Sequence, residues 1–162
     1  MLVPVLRAAD PDAPMWAWGP DKHVRFWSRR MVHETAVHRV DAELALGMEP
    51  LVDPAVAVGV EEILENLPRS RVLRGGGERL RLVASDRPDR WTTTRQPAGF
   101  AWTRGDADGG SPGTAAGSVT VRAGTAELYL LLWGRRPFTD ARLEVAGDRG
   151  LLAHWQRHAV IT

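Results

Sequence analysis

Apolar and polar positions change their period near the middle of the chain. From Phe26 to Ala45 no Pro or Gly interrupts, and apolar residues recur at steps of three and four. That spacing predicts one long amphipathic helix. Two rows share its inner side. One runs Trp27, Met31, Glu34, His38, Asp41, Ala45; the other, Phe26, His33, Val37, Val40, Leu44, widens the buried face. Asp21 is the expected N-cap, and Gly47 closes the helix with Pro50 beyond it. A second helix is predicted from Asp53 and Pro54 to Pro68. Its inner face is Val56, Val60, Ile63, Leu64 and Leu67, with Glu61, Glu62 and Glu65 outside. Two helices on a short link form an antiparallel pair, which cannot enclose a core by itself.

After a basic, Gly-rich hinge from Arg69 to Glu78 the pattern turns to alternation. Arg79–Ser85, Trp91–Thr94, Gly99–Thr103, Ser118–Arg122 and Leu143–Ala146 read as strands. Gly105–Gly117 reads as a loop. Thr125 is expected to cap a helix over Ala126–Trp133, stopped by Gly134, and Leu151–His158 forms a last helix. The predicted class is α+β. Residues 1–70 form a partial helical bundle, and residues 71–162 form a small antiparallel-sheet α+β domain.

Composition narrows the chemistry. The net charge of the 162 residues is +1, so no basic field points to nucleic acid. There is no cysteine, which excludes disulfides and any protein thiol as nucleophile or metal ligand. Any metal must be held by His, carboxylate and water. No apolar run reaches the length of a membrane span, and Met1–Leu6 lacks the pattern of a signal peptide. A cytoplasmic protein with no membrane partner is the expectation.

A carboxylate facing a core is costly unless it is paired or bound to a cation. Glu34 and His38 stand one helical turn apart, so both side chains can reach one metal ion. The alternative is an ion pair of Glu34 with Arg30 or Arg39 beside a buried His. His33 is turned about 100° from Glu34 and suits packing or support better than ligation. Asp41 can hold the other imidazole nitrogen of His38 or pair with an Arg. His154 and His158 are also four apart, in a last turn that favours cations anyway. Arg135 and Arg136 follow a helix end, either as caps or as an anion clamp for a carboxylate. Asp106-Ala107-Asp108-Gly109 lacks the later ligands of a calcium loop. Gly75-Gly76-Gly77 precedes a strand, the wrong context for a phosphate cradle.

The stretch His33-Glu34-Thr35-Ala36-Val37-His38-Arg39-Val40-Asp41-Ala42-Glu43, with Trp27-Ser28-Arg29-Arg30-Met31 before it, resembles the mycothiol-dependent maleylpyruvate isomerase family of actinobacteria. Leu82–Asp86, Gly124–Arg135, and Val145–Asp148 followed by Leu151, Leu152 and Trp155 carry the resemblance through most of the chain. It implies a DinB-type helical bundle holding a divalent metal, usually zinc, followed by a domain similar to sterol carrier proteins. It implies that Glu34 and His38 are metal ligands, with the family's third ligand a His on an earlier bundle helix. By the same resemblance the chain begins inside that bundle, as a truncated form. His23 is the only earlier His, and it lies roughly 22 Å along the helix from His38.

The implied cofactors are the metal and mycothiol, whose thiolate adds to a cis double bond; rotation and elimination then give the trans isomer. Arg135 is the implied partner of a small carboxylate substrate. Two further readings follow from the incomplete bundle. One is a non-catalytic remnant that binds a small ligand or partner. The other is a homodimer formed through the exposed helix face.

Overall fold

A computed structural model describes residues 2–57, 59–67, 70–105 and 117–159. The chain divides into two compact units, Met1–Val52 and Asp53–Thr162. The helices after Asp53 pack on the later helix of the second unit.

The first unit holds α1 (Leu2–Ala8), none of whose side chains is buried, and the long α2 (Val24–Ala45). α2 starts earlier than predicted, and its N-cap is His23 instead of Asp21. The cap is made by backbone. The segment before α2 folds back so that Val24 and Arg25 donate to the carbonyls of Ala13 and Pro11, at 3.0 Å each. Those bonds satisfy donors that a helix start leaves open. Asp21 instead holds the His23 ring, Oδ1 to Nδ1 2.5 Å. The end follows prediction. Gly47, at φ +69°, donates to the Leu44 carbonyl, and Met48 donates to Glu43 at 2.9 Å. This is a Schellman closure, which needs the left-handed conformation glycine adopts without strain.

In the second unit the predicted second helix is broken into α3 (Pro54–Ala57) and α4 (Val60–Asn66). Asp53 caps α3 through the Ala55 amide at 2.7 Å, and Gly59 is the break. Val60, Ile63 and Leu64 are buried as expected. Glu62 is not outside: it is 2% exposed.

The sheet has five strands, β1 (Arg79–Ala84), β2 (Arg90–Gln96), β3 (Gly99–Arg104), β4 (Ser118–Ala123) and β5 (Glu144–Gly147), in the order β3-β2-β1-β4-β5. The sheet is mostly antiparallel, as expected; the one parallel pair is β1 with β4, Leu82 facing Val121. The chain reaches that slot by crossing from β3 at the far edge. Alternation puts Leu80, Leu82 and Ala84 on one face with Val119 and Val121, all buried. Arg79, Arg81, Thr120 and Arg122 alternate with them onto the opposite face.

Helices cover the apolar face. α5 (Thr125–Leu132) packs over β1 and β4, and α6 (Arg149–His158) lies along β4. Trp155 of α6 meets Phe100 of β3 at 4.9 Å between ring centroids. Thr125 is the first residue of α5, not its cap. The capping carboxylate is Asp86, which accepts from the Thr125 amide at 3.0 Å and its hydroxyl at 2.6 Å. Asp148 caps α6 through the Gly150 and Leu151 amides. No helix among the described residues is long and apolar enough to cross a membrane.

Candidate functional site

The two rows of α2 exchange their expected weights. The buried side chains are Phe26, Arg30, His33, Val37 and Val40, with Val24 at the start. The row through Trp27, Met31, Glu34, His38 and Asp41 lies at the edge of that face and turns toward solvent. The side chain of Glu34 is 32% exposed and that of His38 70%. Burial therefore does not force Glu34 to take a cation, because water reaches it.

Their contact is nonetheless formed. His38 Nε2 lies 3.3 Å from Glu34 Oε2. The other carboxylate oxygen, Oε1, is held by the guanidinium of Arg30, which is 5% exposed. The other imidazole nitrogen, Nδ1, lies 3.2 Å from Asp41 Oδ2. Four residues along one helix thus make a line, Arg30–Glu34–His38–Asp41. Each atom that would face an ion has its sibling atom already engaged. Glu34 pairs with Arg30 through one oxygen, as the ion-pair reading expects, and meets His38 through the other.

His33 points into the buried side. Burial, with Arg29 and Arg30 alongside, pushes its imidazole down to about 4. It is neutral near pH 7, which suits a packed support of α2.

A neutral imidazole and a carboxylate are a donor set that zinc and similar divalent ions accept. The arrangement in which a carboxylate backs the imidazole is what metal-binding histidines use to fix their tautomer. Asp41 occupies that supporting place and faces away from Nε2. The fit covers two donors. Among the described residues no three His, Asp or Glu side chains converge on one point. His23 is engaged with Asp21 at the start of the helix.

Sequence signals missed the aromatic cluster beside this line. Trp16 stacks on Trp27 with centroids 6.0 Å apart, and Trp27 Nε1 donates to the Trp16 carbonyl at 2.8 Å. Trp18 meets Phe26 edge-on and lies under the Arg30 guanidinium, 5.4 Å from the ring centroid. The density of Trp near residue 16 was its only sequence signal.

The remaining candidates lie in the second unit. Arg135 Nη1 donates to the Trp133 carbonyl at 2.7 Å, a capping contact at the end of α5. Arg136 is buried and bound to Glu127 at 2.5 Å, with Asp140 at 3.5 Å. It is part of the core. His154 Nε2 lies 2.7 Å from the Val72 carbonyl, and its ring meets His158 at 4.5 Å. A backbone oxygen opposite Nε2 makes that nitrogen a proton donor. The Asp106–Gly109 segment lies outside the described residues.

Comparison with known proteins gives two family matches. The mycothiol maleylpyruvate isomerase N-terminal domain matches residues 2–43. The MDMPI C-terminal domain matches residues 54–154. No curated protein matches the chain. Among solved structures, the stereoselective inverting sec-alkylsulfatase Pisa1 from Pseudomonas sp. superimposes with a TM-score of 0.50 at 13% identity. That match covers 71% of this chain and 17% of the sulfatase. A double mutant of the same enzyme gives 0.49 at 14% identity, over 68% of this chain and 17% of its own. The UbiJ-SCP2 ubiquinone synthesis protein gives 0.42 at 19% identity, over 66% and 79%. This chain spans 17% of the length of the alkylsulfatase chains it matches, and the likeness at a TM-score of 0.50 is one of fold alone.

Proposed function

Because this chain belongs to the mycothiol-dependent maleylpyruvate isomerase family, we propose that it serves mycothiol-dependent cis–trans isomerisation of a small unsaturated carboxylate, or a related thiol transfer. The observation that supports a reactive centre is the Glu34–His38 pair at 3.3 Å, backed on either side by Arg30 and Asp41. Glu34 Oε2 and His38 Nε2 would hold a divalent ion, with zinc the best match to the donors. When bound, the ion lowers the thiol pKa and the thiol supplies the nucleophile that a chain without cysteine lacks.

The protein's own groups then act by position. Arg30 holds Glu34 Oε1 and leaves Oε2 turned toward His38. Asp41 accepts the Nδ1 proton of His38, which leaves Nε2 as the lone pair for the ion. The solvent-facing side of α2 leaves room for a bulky thiol. Arg135 is the proposed carboxylate partner, resting on the family resemblance.

The test is a mycothiol-dependent isomerase assay on the zinc-loaded protein with a cis-configured unsaturated dicarboxylate. Turnover that requires both zinc and mycothiol and disappears in His38→Ala supports the reading. Absence of turnover with zinc and mycothiol both bound favours the second reading, a non-catalytic binding protein. The two-donor set is the observation behind that alternative.

A further inference from the structure

Arg135 stands where the chain leaves α5. Gly134 turns the backbone at φ +72°, and the amides of Arg135 and Arg136 both donate to the Leu130 carbonyl, at 2.8 and 3.1 Å. Beyond that pair the chain enters neither helix nor strand until β5. The Arg135 guanidinium leans back on the Trp133 carbonyl through Nη1, at 2.7 Å.

The segment after Arg135 is held from α6 by one side chain. Gln156 Nε2 donates to the Arg136 carbonyl at 2.5 Å, and Gln156 Oε1 accepts from the Phe138 amide at 3.1 Å. Those two backbone groups flank Pro137, which has no N–H of its own to offer. The grip has a firm base, because Leu151, Leu152 and Trp155 of α6 are buried around it. The Arg136 side chain is tied in turn to Glu127 of α5. Arg135 thus lies between a backbone fixed by α5 and a backbone fixed by α6.

We infer that Gln156 is a positioning residue for carboxylate binding and acts through Arg135. The inference rests on the reading of Arg135 given above and adds what keeps that guanidinium aimed. A guanidinium meets a carboxylate as a planar fork, so its direction decides the contact. When Gln156 lets go, the peptide after Arg135 can turn and the long side chain must be ordered anew by the ligand. That is worth about 3- to 10-fold in affinity.

The experiment titrates the full chain with maleate, a small cis-dicarboxylate, and follows the backbone amide NMR shifts of residues 130–138. Wild type, Gln156→Met, Arg135→Ala and the double variant form a cycle. Met keeps the length of Gln and removes both hydrogen bonds. The expected result is that Gln156→Met weakens maleate binding about 3- to 10-fold. Arg135→Ala is expected to weaken it more, and Gln156→Met to add nothing in the Arg135→Ala background. Gln156→Glu keeps the acceptor for the Phe138 amide and loses the donor to Arg136, so its affinity is expected between wild type and Gln156→Met. Lower stability of the Gln156 variants with unchanged maleate affinity overturns the inference and leaves Arg135 as the carboxylate partner. Equal losses from Gln156→Met with and without Arg135 also overturn it. A wild type that does not bind maleate, or an Arg135→Ala that binds it unchanged, overturns both.

Discussion

Glu34 and His38 meet through Oε2 and Nε2 at 3.3 Å, while the second polar atom of each is already held, Oε1 by Arg30 and Nδ1 by Asp41. On the proposed metal reading, Asp41 behind His38 shares in the affinity for the ion. Asp41→Asn is expected to weaken zinc binding about 10- to 100-fold, as loss of a carboxylate behind a ligating histidine does. Isothermal titration against a chelator-buffered series measures this. Unchanged affinity would show that Asp41 plays no part.

Arg30 gives the same carboxylate a structural duty. Its guanidinium is 5% exposed, and Glu34 is its acidic neighbour one turn away. Glu34→Ala is expected to cost about 1–3 kcal/mol, the desolvation penalty of a buried donor that loses an acceptor. Urea unfolding of the metal-free protein reads it out. Arg30→Met, made together with Glu34→Ala, should recover part of the loss.

Asp86 and Thr125 join the turn after β1 to the start of α5. Hydrogen bonds from the Thr125 hydroxyl and amide hold the Asp86 carboxyl below its ordinary value of 3.8. A depressed carboxylate contributes stability that is fully present above pH 3.8. It is lost as pH falls from there through the folded-state value. Asp86→Asn should flatten that acid limb, since an amide oxygen still accepts but does not titrate. Asp86→Ala should lose about 1 kcal/mol at neutral pH. Thermal unfolding across pH 2–6 distinguishes the three proteins.

Arg135 and Arg136 are adjacent but differ in kind. Arg136 is buried between Glu127 and Asp140. Arg136→Ala is expected to cost about 3–5 kcal/mol by taking the buried guanidinium from Glu127, while Asp140 keeps Arg142 at 3.5 Å. Arg135 is half-buried and touches a helix-end carbonyl. Arg135→Ala should leave folding near wild type. It should raise KM for a carboxylate substrate about 10- to 100-fold, the worth of one charged hydrogen bond. An unchanged KM would remove Arg135 from the site.

Gly147 closes the sheet edge at φ +101°, where an added Cβ would lie 2.3 Å from the Ser118 carbonyl oxygen. Gly147→Ala is expected to cost about 1–3 kcal/mol from strain. Hydrogen exchange should report faster opening of β5 amides while β1 and β2 stay protected.

Much of this architecture was legible in the sequence because its signals are local. The Schellman end at Gly47, the alternation of Leu80, Leu82 and Ala84, and the Asp53 cap each need only a few residues. What failed depends on distant partners. Which row of α2 is buried is set by packing, and the row with Phe26, Val37 and Val40 took that place. The α5 cap comes from Asp86, 39 residues away, so a local search found Thr125 instead. The break at Gly59 and the parallel β1–β4 pair likewise follow from how α4 and the crossing strand settle on the sheet. At the site, the i, i+4 spacing of Glu34 and His38 was enough to find the pair. Its solvent exposure was not, because spacing says nothing about what covers a face.

Cobalt substitution tests the central claim most directly, since Co(II) reports both its protein ligands and a bound thiolate. The protein loaded with Co(II) is predicted to develop an intense sulfur-to-cobalt charge-transfer band in the near ultraviolet when mycothiol is added. With no cysteine in the chain, that band has no other protein source. His38→Ala should abolish it, and Asp41→Asn should require more cobalt to reach it. A Co(II) spectrum that mycothiol leaves unchanged, or one that His38→Ala leaves intact, would contradict a thiol-presenting metal centre at Glu34 and His38.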